Sequence, residues 1–183
     1  STYGRLTISK AARHCNAVYE PKPQYSISIG MTKPEKPKLY TFDDTGNAER
    51  FTDYFKNSIR YSFVNKCWFW WDGRRWCVDN TGVVRRLADE VVENMRGELG
   101  NYIDNVPDDM DTEEMEERFM KHLKSCRSNK SKVTMIKESE HRVSITPQQF
   151  DLHTDQLNTV NGILNLRTGE LINHDSEQFI TKI

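Results

Sequence analysis

The strongest constraint on the fold is one run of ten residues, Cys67-Trp68-Phe69-Trp70-Trp71-Asp72-Gly73-Arg74-Arg75-Trp76, which holds all four tryptophans of the chain. Asp72-Gly73 is a strong hairpin turn signal, because glycine accepts a positive φ and aspartate tolerates one. Cys67–Trp71 and Arg74–Val78 are therefore expected as paired strands, preceded by a strand over Arg60–Val64. Alternation puts Phe69, Trp71, Trp76 and Val78 on one face and Trp68 and Trp70 on the other. One face must pack against helices. The opposite face is a second core surface, a partner contact, or a stacking platform for bases on which Trp70 is flanked by Arg74 and Arg75.

Helical periodicity surrounds this hairpin. Phe51, Tyr54, Phe55 and Ile59 recur at helical spacing between Gly46 and Ile59, with Asp44, Thr45 or Asn47 as the cap. A long helix is expected from Gly82 to about Ile103, with Val83, Val84, Leu87, Ala88, Val91, Val92, Met95 and Leu99 on one face and Gly97 and Gly100 weakening its end. Beyond Pro107, a helix is expected to begin at Asp111 with a capping box to Glu114, burying Met115, Phe119 and Leu123. A weaker helical stretch covers about Ser131 to His141. After Pro147 the pattern returns to strand: Leu157–Leu166 extended, Arg167-Thr168-Gly169 as a three-residue loop, and Glu170–Asn173 returning. The expected class is α+β, helices packed with small antiparallel β-hairpins.

The remaining 40 residues at the start read differently. Pro21, Pro23, Pro34 and Pro37 alternate with lysines, a composition suited to an extended linker. Residues 1–40 are taken as a linker or tail from a preceding module, with a weak helical rhythm from Tyr3 to Glu20, and residues 41–183 as the domain. The chain opens at Ser1 without an initiator Met, as expected of a piece of something longer, or of processing or tag removal. It has no apolar run of the length a membrane span needs and no secretory-signal pattern.

A formal net charge of −1 conceals a strong ordering of charge. Residues 1–40 hold seven Lys/Arg against two acids. Asp108 to Glu117 is acidic, whereas Arg118 to Lys137 has seven bases and no acid. The first half of that run has helical spacing, positions 121, 124 and 128 sharing a stripe with Arg118 above them, and Lys121, Lys124, Arg127 and Lys130 are its candidate contacts. They form either a solvated face or a phosphate-contacting one, since such cations release counterions from a nucleic-acid backbone.

Catalytic signatures are few. The chain lacks the Gly-x4-Gly-Lys-Ser/Thr loop that cradles nucleotide phosphates, and also GxSxG, HExxH and GxGxxG. Asp108, Asp109 and Asp111 are of a kind that holds Mg²⁺ in a nuclease or nucleotidyl transferase. Their plainer reading is as acids leading into the positive end of a helix. The cysteines Cys15, Cys67, Cys77 and Cys126 match no common zinc framework, and alternation sets Cys67 and Cys77 on opposite faces. His122 and Cys126 lie one turn apart, where two metal ligands meet, but the plainer reading is reduced thiols in a cytoplasmic protein.

Two stretches carry a family resemblance. Gly46-Asn47-Ala48-Glu49-Arg50-Phe51, followed by Ile59-Arg60-Tyr61 and the tryptophan hairpin, resembles the opening of a domain in phage and plasmid primase–helicases, related to one in the poxvirus primase–helicase. Leu157-Asn158-Thr159-Val160-Asn161-Gly162-Ile163-Leu164-Asn165-Leu166-Arg167-Thr168-Gly169-Glu170-Leu171, continued by His174-Asp175 and Ile180-Thr181-Lys182, resembles that domain's closing motif. The family often has Asp where this chain has Asn165. The match spans about residues 41–183.

The resemblance implies a non-catalytic connector or collar between an amino-terminal primase and a superfamily 3 helicase ATPase. The helicase typically assembles as a hexameric ring around DNA, in the host cytoplasm. ATP and Mg²⁺ would serve the parent protein, with no cofactor in this part and no membrane involved. The competing expectation is a single-stranded DNA-binding module using Trp70, Arg74 and Arg75 on the hairpin and Lys121, Lys124, Arg127 and Lys130 on the basic helix.

Overall fold

A computed structural model describes residues 29–32 and 37–183. The helical rhythm of Tyr3–Glu20, Cys15 and most of the proline-rich stretch lie outside the described residues. Of that stretch, residues 37–40 run along the domain: Lys38 reaches Asp53 at 2.8 Å and Tyr40 is buried.

The first helix among the described residues, α1 (Asp44–Phe55), is capped by Asp43, whose side chain accepts from the Gly46 N–H at 2.8 Å. The cap is thus one residue earlier than the earliest candidate, Asp44. Asn47 instead sits inside the first turn and is buried. Gly46 has a steric role as well: a Cβ there would lie 2.1 Å from the Thr41 carbonyl oxygen.

Strands β1 (Ile59–Ser62), β2 (Cys67–Trp71) and β3 (Trp76–Val78) form an antiparallel sheet in that order. The register pairs Trp71 with Trp76 and Trp70 with Cys77, which gives the faces that alternation predicts and separates Cys67 from Cys77. β3 starts two residues later than expected. The Asp72 Oδ1 accepts from the N–H groups of both Arg74 and Arg75, at 2.8 and 2.9 Å, so those donors are taken by the turn. β1 likewise stops at Ser62, leaving Phe63 and Val64 exposed in the connection.

The long helix expected over residues 82–103 is interrupted. α2 (Val83–Asn94) is followed by a tighter 3₁₀ turn, Met95–Glu98, and then by α3 (Leu99–Ile103). Gly82 has φ +72 at the start, and the first turn is satisfied by Asp79, which accepts from Val83 and Val84 at 2.8 and 3.0 Å. The break turns Glu98 inward, where it is buried.

α4 (Thr112–Cys126) begins at its Asp111 cap, whose side chain accepts from Glu114 N–H at 2.7 Å. α5 (Asn129–Ser139) starts two residues before the expected Ser131, at a Ser128 cap. α5 packs along α1, and Ser139 donates to the Ala48 carbonyl at 3.3 Å. Phe51, Phe55, Leu87, Val91, Met95, Phe119 and Met135 fill the space between these helices. Burying each such side chain contributes about 1.5–3 kcal/mol.

The carboxy-terminal sheet, β4 (Gln156–Thr159), β5 (Gly162–Asn165) and β6 (Leu171–Ile172), is antiparallel in chain order. The stretch Leu157–Leu166, expected as one extended segment, is two strands joined at Val160-Asn161. Gly162 makes this tight reversal possible: its φ is +154, and a Cβ there would lie 2.3 Å from the Ile172 carbonyl oxygen. The loop at Arg167–Gly169 forms as expected, with Gly169 at φ +74 and the Asn165 side chain accepting from Arg167 and Thr168 at 2.9 and 3.1 Å. The architecture is α+β, with a helical layer on one face of the first sheet and the carboxy-terminal unit on the other.

Candidate functional site

The opening motif builds a polar network inside the helical layer. Asn47 and Arg50 lie one turn apart on α1, on its core side. The Arg50 side chain has no exposure, and its Nε reaches both oxygens of Glu98 at 3.0 and 2.9 Å. Its Nη1 donates to Asn47 Oδ1 at 2.9 Å, and its Nη2 to the Tyr102 hydroxyl at 3.2 Å. Tyr54 donates to Glu98 at 2.5 Å. Tyr102 donates onward to the Tyr40 carbonyl at 2.8 Å and accepts from the Tyr40 N–H. Burial raises the Tyr40, Tyr54 and Tyr102 hydroxyls above the ordinary tyrosine range, so all three act as neutral donors.

The network ends at His122 and Cys126. His122 Nε2 lies 3.1 Å from Asn47 Oδ1 and 3.3 Å from Cys126 Sγ, and Asn47 Nδ2 donates to that sulfur at 3.3 Å. Burial, then the Arg50 charge, holds His122 below its ordinary pKa, while Asp43 and Asp44 act in the opposite direction. Burial raises the Cys126 thiol. This is the arrangement of a neutral imidazole and an inert thiol.

The closing motif builds a second polar lock. Asn158 is buried, and its Nδ2 donates to the carbonyls of Arg74 and Lys182, both at 2.9 Å. One side chain thereby ties the tip of the tryptophan hairpin to the last residues of the chain. Trp76 adds its backbone N–H to the Ile180 carbonyl and its indole N–H to the Ser176 carbonyl, each at 2.8 Å. Thr181 binds Asp151 through its N–H and its hydroxyl. The Arg60 guanidinium is held between Trp76 and Phe179, 5.1 and 5.2 Å from their ring centres.

Both faces of the tryptophan hairpin are therefore covered. Phe69 meets Phe150 with ring centres 4.7 Å apart, and Trp76 stacks on Phe179 at 5.9 Å. On the opposite face Trp68 and Trp70 pack against the helical core. Trp70 keeps an edge in a groove of about 300 Å³, which it shares with Ile29, Thr81, Val83, Arg86, Leu87 and Glu90.

The other sequence-predicted residues separate into two places. Arg74 and Arg75 sit in the turn closed by Asp72, with Arg75 Nε 3.6 Å from the Asp72 carboxylate. Arg86 on α2, rather than Arg74 or Arg75, is the arginine in the groove of Trp70. Lys121, Lys124 and Arg127 come together on α4 around a shallow groove with Glu117, Met120 and Leu123, and Lys130 lies exposed just beyond. Asp111 uses its carboxylate to cap α4, and Asp108 and Asp109 are exposed in the preceding turn. Among the described residues no three His, Cys, Asp or Glu side chains are grouped for a metal ion.

Periodicity did not reveal the Asn47–Arg50–Glu98–Tyr102 network. A signal was present, however: Asn47 and Arg50 occupy the same stripe of α1 as Phe51 and Tyr54, so a polar pair on the core face called for a buried acid.

The family model described as D5 N terminal like covers residues 48–183, from inside the opening motif through the closing one. No curated protein matches the chain.

Proposed function

The chain belongs to the D5 N terminal like family, the amino-terminal connector region of poxvirus-type primase–helicases, and from that premise we propose that it is a non-catalytic connector in a phage or mobile-element replication protein. In this role it holds a primase module and a helicase ATPase in fixed relation and supports assembly of a ring on DNA. ATP and Mg²⁺ act in the ATPase of the parent protein.

One observation carries this reading: residues of the two motifs that carry the resemblance are spent on rigidity. Asn47 and Arg50 are consumed in the buried network, Trp76 in the core, and Asn158 in the lock between the hairpin and the chain's last residues. Such motifs specify a stiff body whose two ends keep their relative placement, as a connector requires.

The basic groove on α4 supports a second reading, a single-stranded DNA-binding module. Lys121, Lys124 and Arg127 converge there, with Lys130 adjacent. Trp70, with Arg86 beside it in the groove, is the stacking candidate on the hairpin, while Arg74 and Arg75 stand apart at the turn. On this reading each phosphate neutralised contributes about 0.7 to the slope of log affinity against log salt.

Sedimentation velocity over a range of concentrations, run beside a tryptophan-fluorescence titration with a single-stranded oligonucleotide at low and high salt, separates the two. Self-association without a response to oligonucleotide supports the connector. Salt-sensitive quenching, lost in Trp70→Ala or Lys121→Ala/Lys124→Ala, supports the DNA-binding module. A monomer that gives no response opposes both.

A further inference from the structure

Helix α4 and its flanks carry charge in two blocks. Between Asp108 and Glu117 stand seven acids and no base, and between Arg118 and Lys137 seven bases and no acid. Every acid of the first block is exposed, as are Arg118, Lys121, Lys124, Arg127 and Lys130 of the second. Lys132 is a member of the fold instead, paired to Asp89 at 2.7 Å.

The helix dipole accounts for this order only in part, because its influence falls off within the first and last turns. Asp108 and Asp109 precede the helix, Glu116 and Glu117 lie in its second turn, and Lys130 stands beyond its end. A helix of 15 residues is about 22 Å long at ~1.5 Å per residue, so although the blocks meet at Glu117 and Arg118, residues 108–111 and residues 127–130 lie at its opposite ends. The chain as a whole is nearly neutral, at −1, so two copies do not repel through their net charge and the blocks govern how they meet. The basic block also offers an apolar centre. Met120 is exposed at the groove framed by Lys121, Lys124 and Arg127, which gives an apolar patch with a charged rim.

We propose that two copies of this chain associate head to tail through α4, the acidic block of one copy seated on the groove of Lys121, Lys124 and Arg127 of the next. The two surfaces differ, so the contact is heterologous and repeats from copy to copy, closing into a ring where the rotation permits and otherwise extending as a filament. This rests on the assembly role proposed above and names the surface that performs it.

A charge-swap experiment on the chain tests it. Glu113→Lys/Glu117→Lys weakens the acidic block, leaving five of its seven acids, and Lys121→Glu/Lys124→Glu weakens the basic block, leaving five of its seven bases. In sedimentation velocity at low salt, wild type self-associates, each variant alone loses about tenfold or more in association constant, and their equimolar mixture regains it for a pair, because the unaltered acidic block of one variant meets the basic groove of the other. Added salt weakens the wild-type contact. Circular dichroism checks that the helices persist, and Glu113→Gln/Glu117→Gln, which removes charge without reversing it, gives an intermediate loss.

Wild type that remains monomeric overturns the proposal. So does a mixture that fails to recover while wild type associates, in which case the assembly role stands and its surface lies elsewhere. The lysine variant retaining wild-type association while losing oligonucleotide quenching also overturns it, and assigns the groove to nucleic acid.

Discussion

Arg50 on α1 and Glu98 in the 3₁₀ turn after α2 form a buried ion pair, 48 residues apart in sequence, with Arg50 Nε within 3.0 Å of both carboxylate oxygens. The pair is completed by Asn47, Tyr54 and Tyr102, so neither charge is left uncompensated. Removing one partner strands the other in the core, at a cost of about 3–5 kcal/mol. Arg50→Met and Glu98→Leu are each expected to lower urea-unfolding stability by that order. The double variant is expected to recover much of the loss, because no lone charge remains. A double-variant loss equal to that of either single variant would show that the pair itself stabilises the fold, whereas additive losses would show that the two residues act independently.

His122 makes stability depend on pH. Its folded pKa lies below the ordinary value, so between about pH 6.5 and that lower value the unfolded chain binds a proton that the folded chain refuses. Stability is therefore fully present above about pH 6.5 and declines as the pH falls through this window, by at most about 1.4 kcal/mol per pH unit. His122→Gln keeps a hydrogen-bonding group near Asn47 and abolishes the titration. Urea midpoints of the two proteins between pH 7.5 and 5 should diverge as the window is entered, wild type falling the more steeply.

How much of this was legible beforehand depended on whether the determinant was local. Asp72-Gly73 and strict alternation sufficed for the hairpin and for the two faces of its tryptophans, because both are properties of neighbouring residues. The capping role of Asp111 was legible for the same reason. What covers each face was not, because Phe150 and Phe179 are about 80 to 110 positions away along the chain and no periodicity links them to Phe69 and Trp76. The break after Asn94 was only partly legible: Gly97 and Gly100 mark a weakened end, but apolar spacing continues through Met95 and Leu99, and the turn that buries Glu98 beside Arg50 depends on a residue 48 positions away. The basic residues of α4 were readable as a stripe, whereas the groove they frame depends on Met120 and Leu123 in three dimensions.

Asn158 is predicted to govern the attachment of the carboxy-terminal unit. Its Nδ2 makes two hydrogen bonds, to Arg74 and Lys182 carbonyls, that a carboxylate cannot make. Asn158→Asp loses both donors and places an acid against two carbonyl oxygens, costing about 1–3 kcal/mol. The loss should be local: hydrogen exchange should speed up at Trp76 and Thr181 while amides of α1 and α2 keep their protection. Uniformly faster exchange throughout the chain would mean that the lock and the helical layer unfold as one unit.

Gly46 supplies the most sharply defined steric test. Its α-carbon faces the Thr41 backbone so closely that an added methyl would lie 2.1 Å from the Thr41 carbonyl oxygen and 2.7 Å from its nitrogen. Backbone cannot yield as a flexible side chain can, so Gly46→Ala must displace either Thr41 or the start of α1. Displacing the helix start would also pull the Gly46 N–H from Asp43, where it now caps α1 at 2.8 Å. Overpacking costs about 1–3 kcal/mol and a lost cap about 1 kcal/mol. Gly46→Ala is thus expected to destabilise the domain by about 2–4 kcal/mol in urea unfolding. Gly97→Ala, at a position where an added methyl meets nothing within 4 Å, should change stability far less and serves as the control.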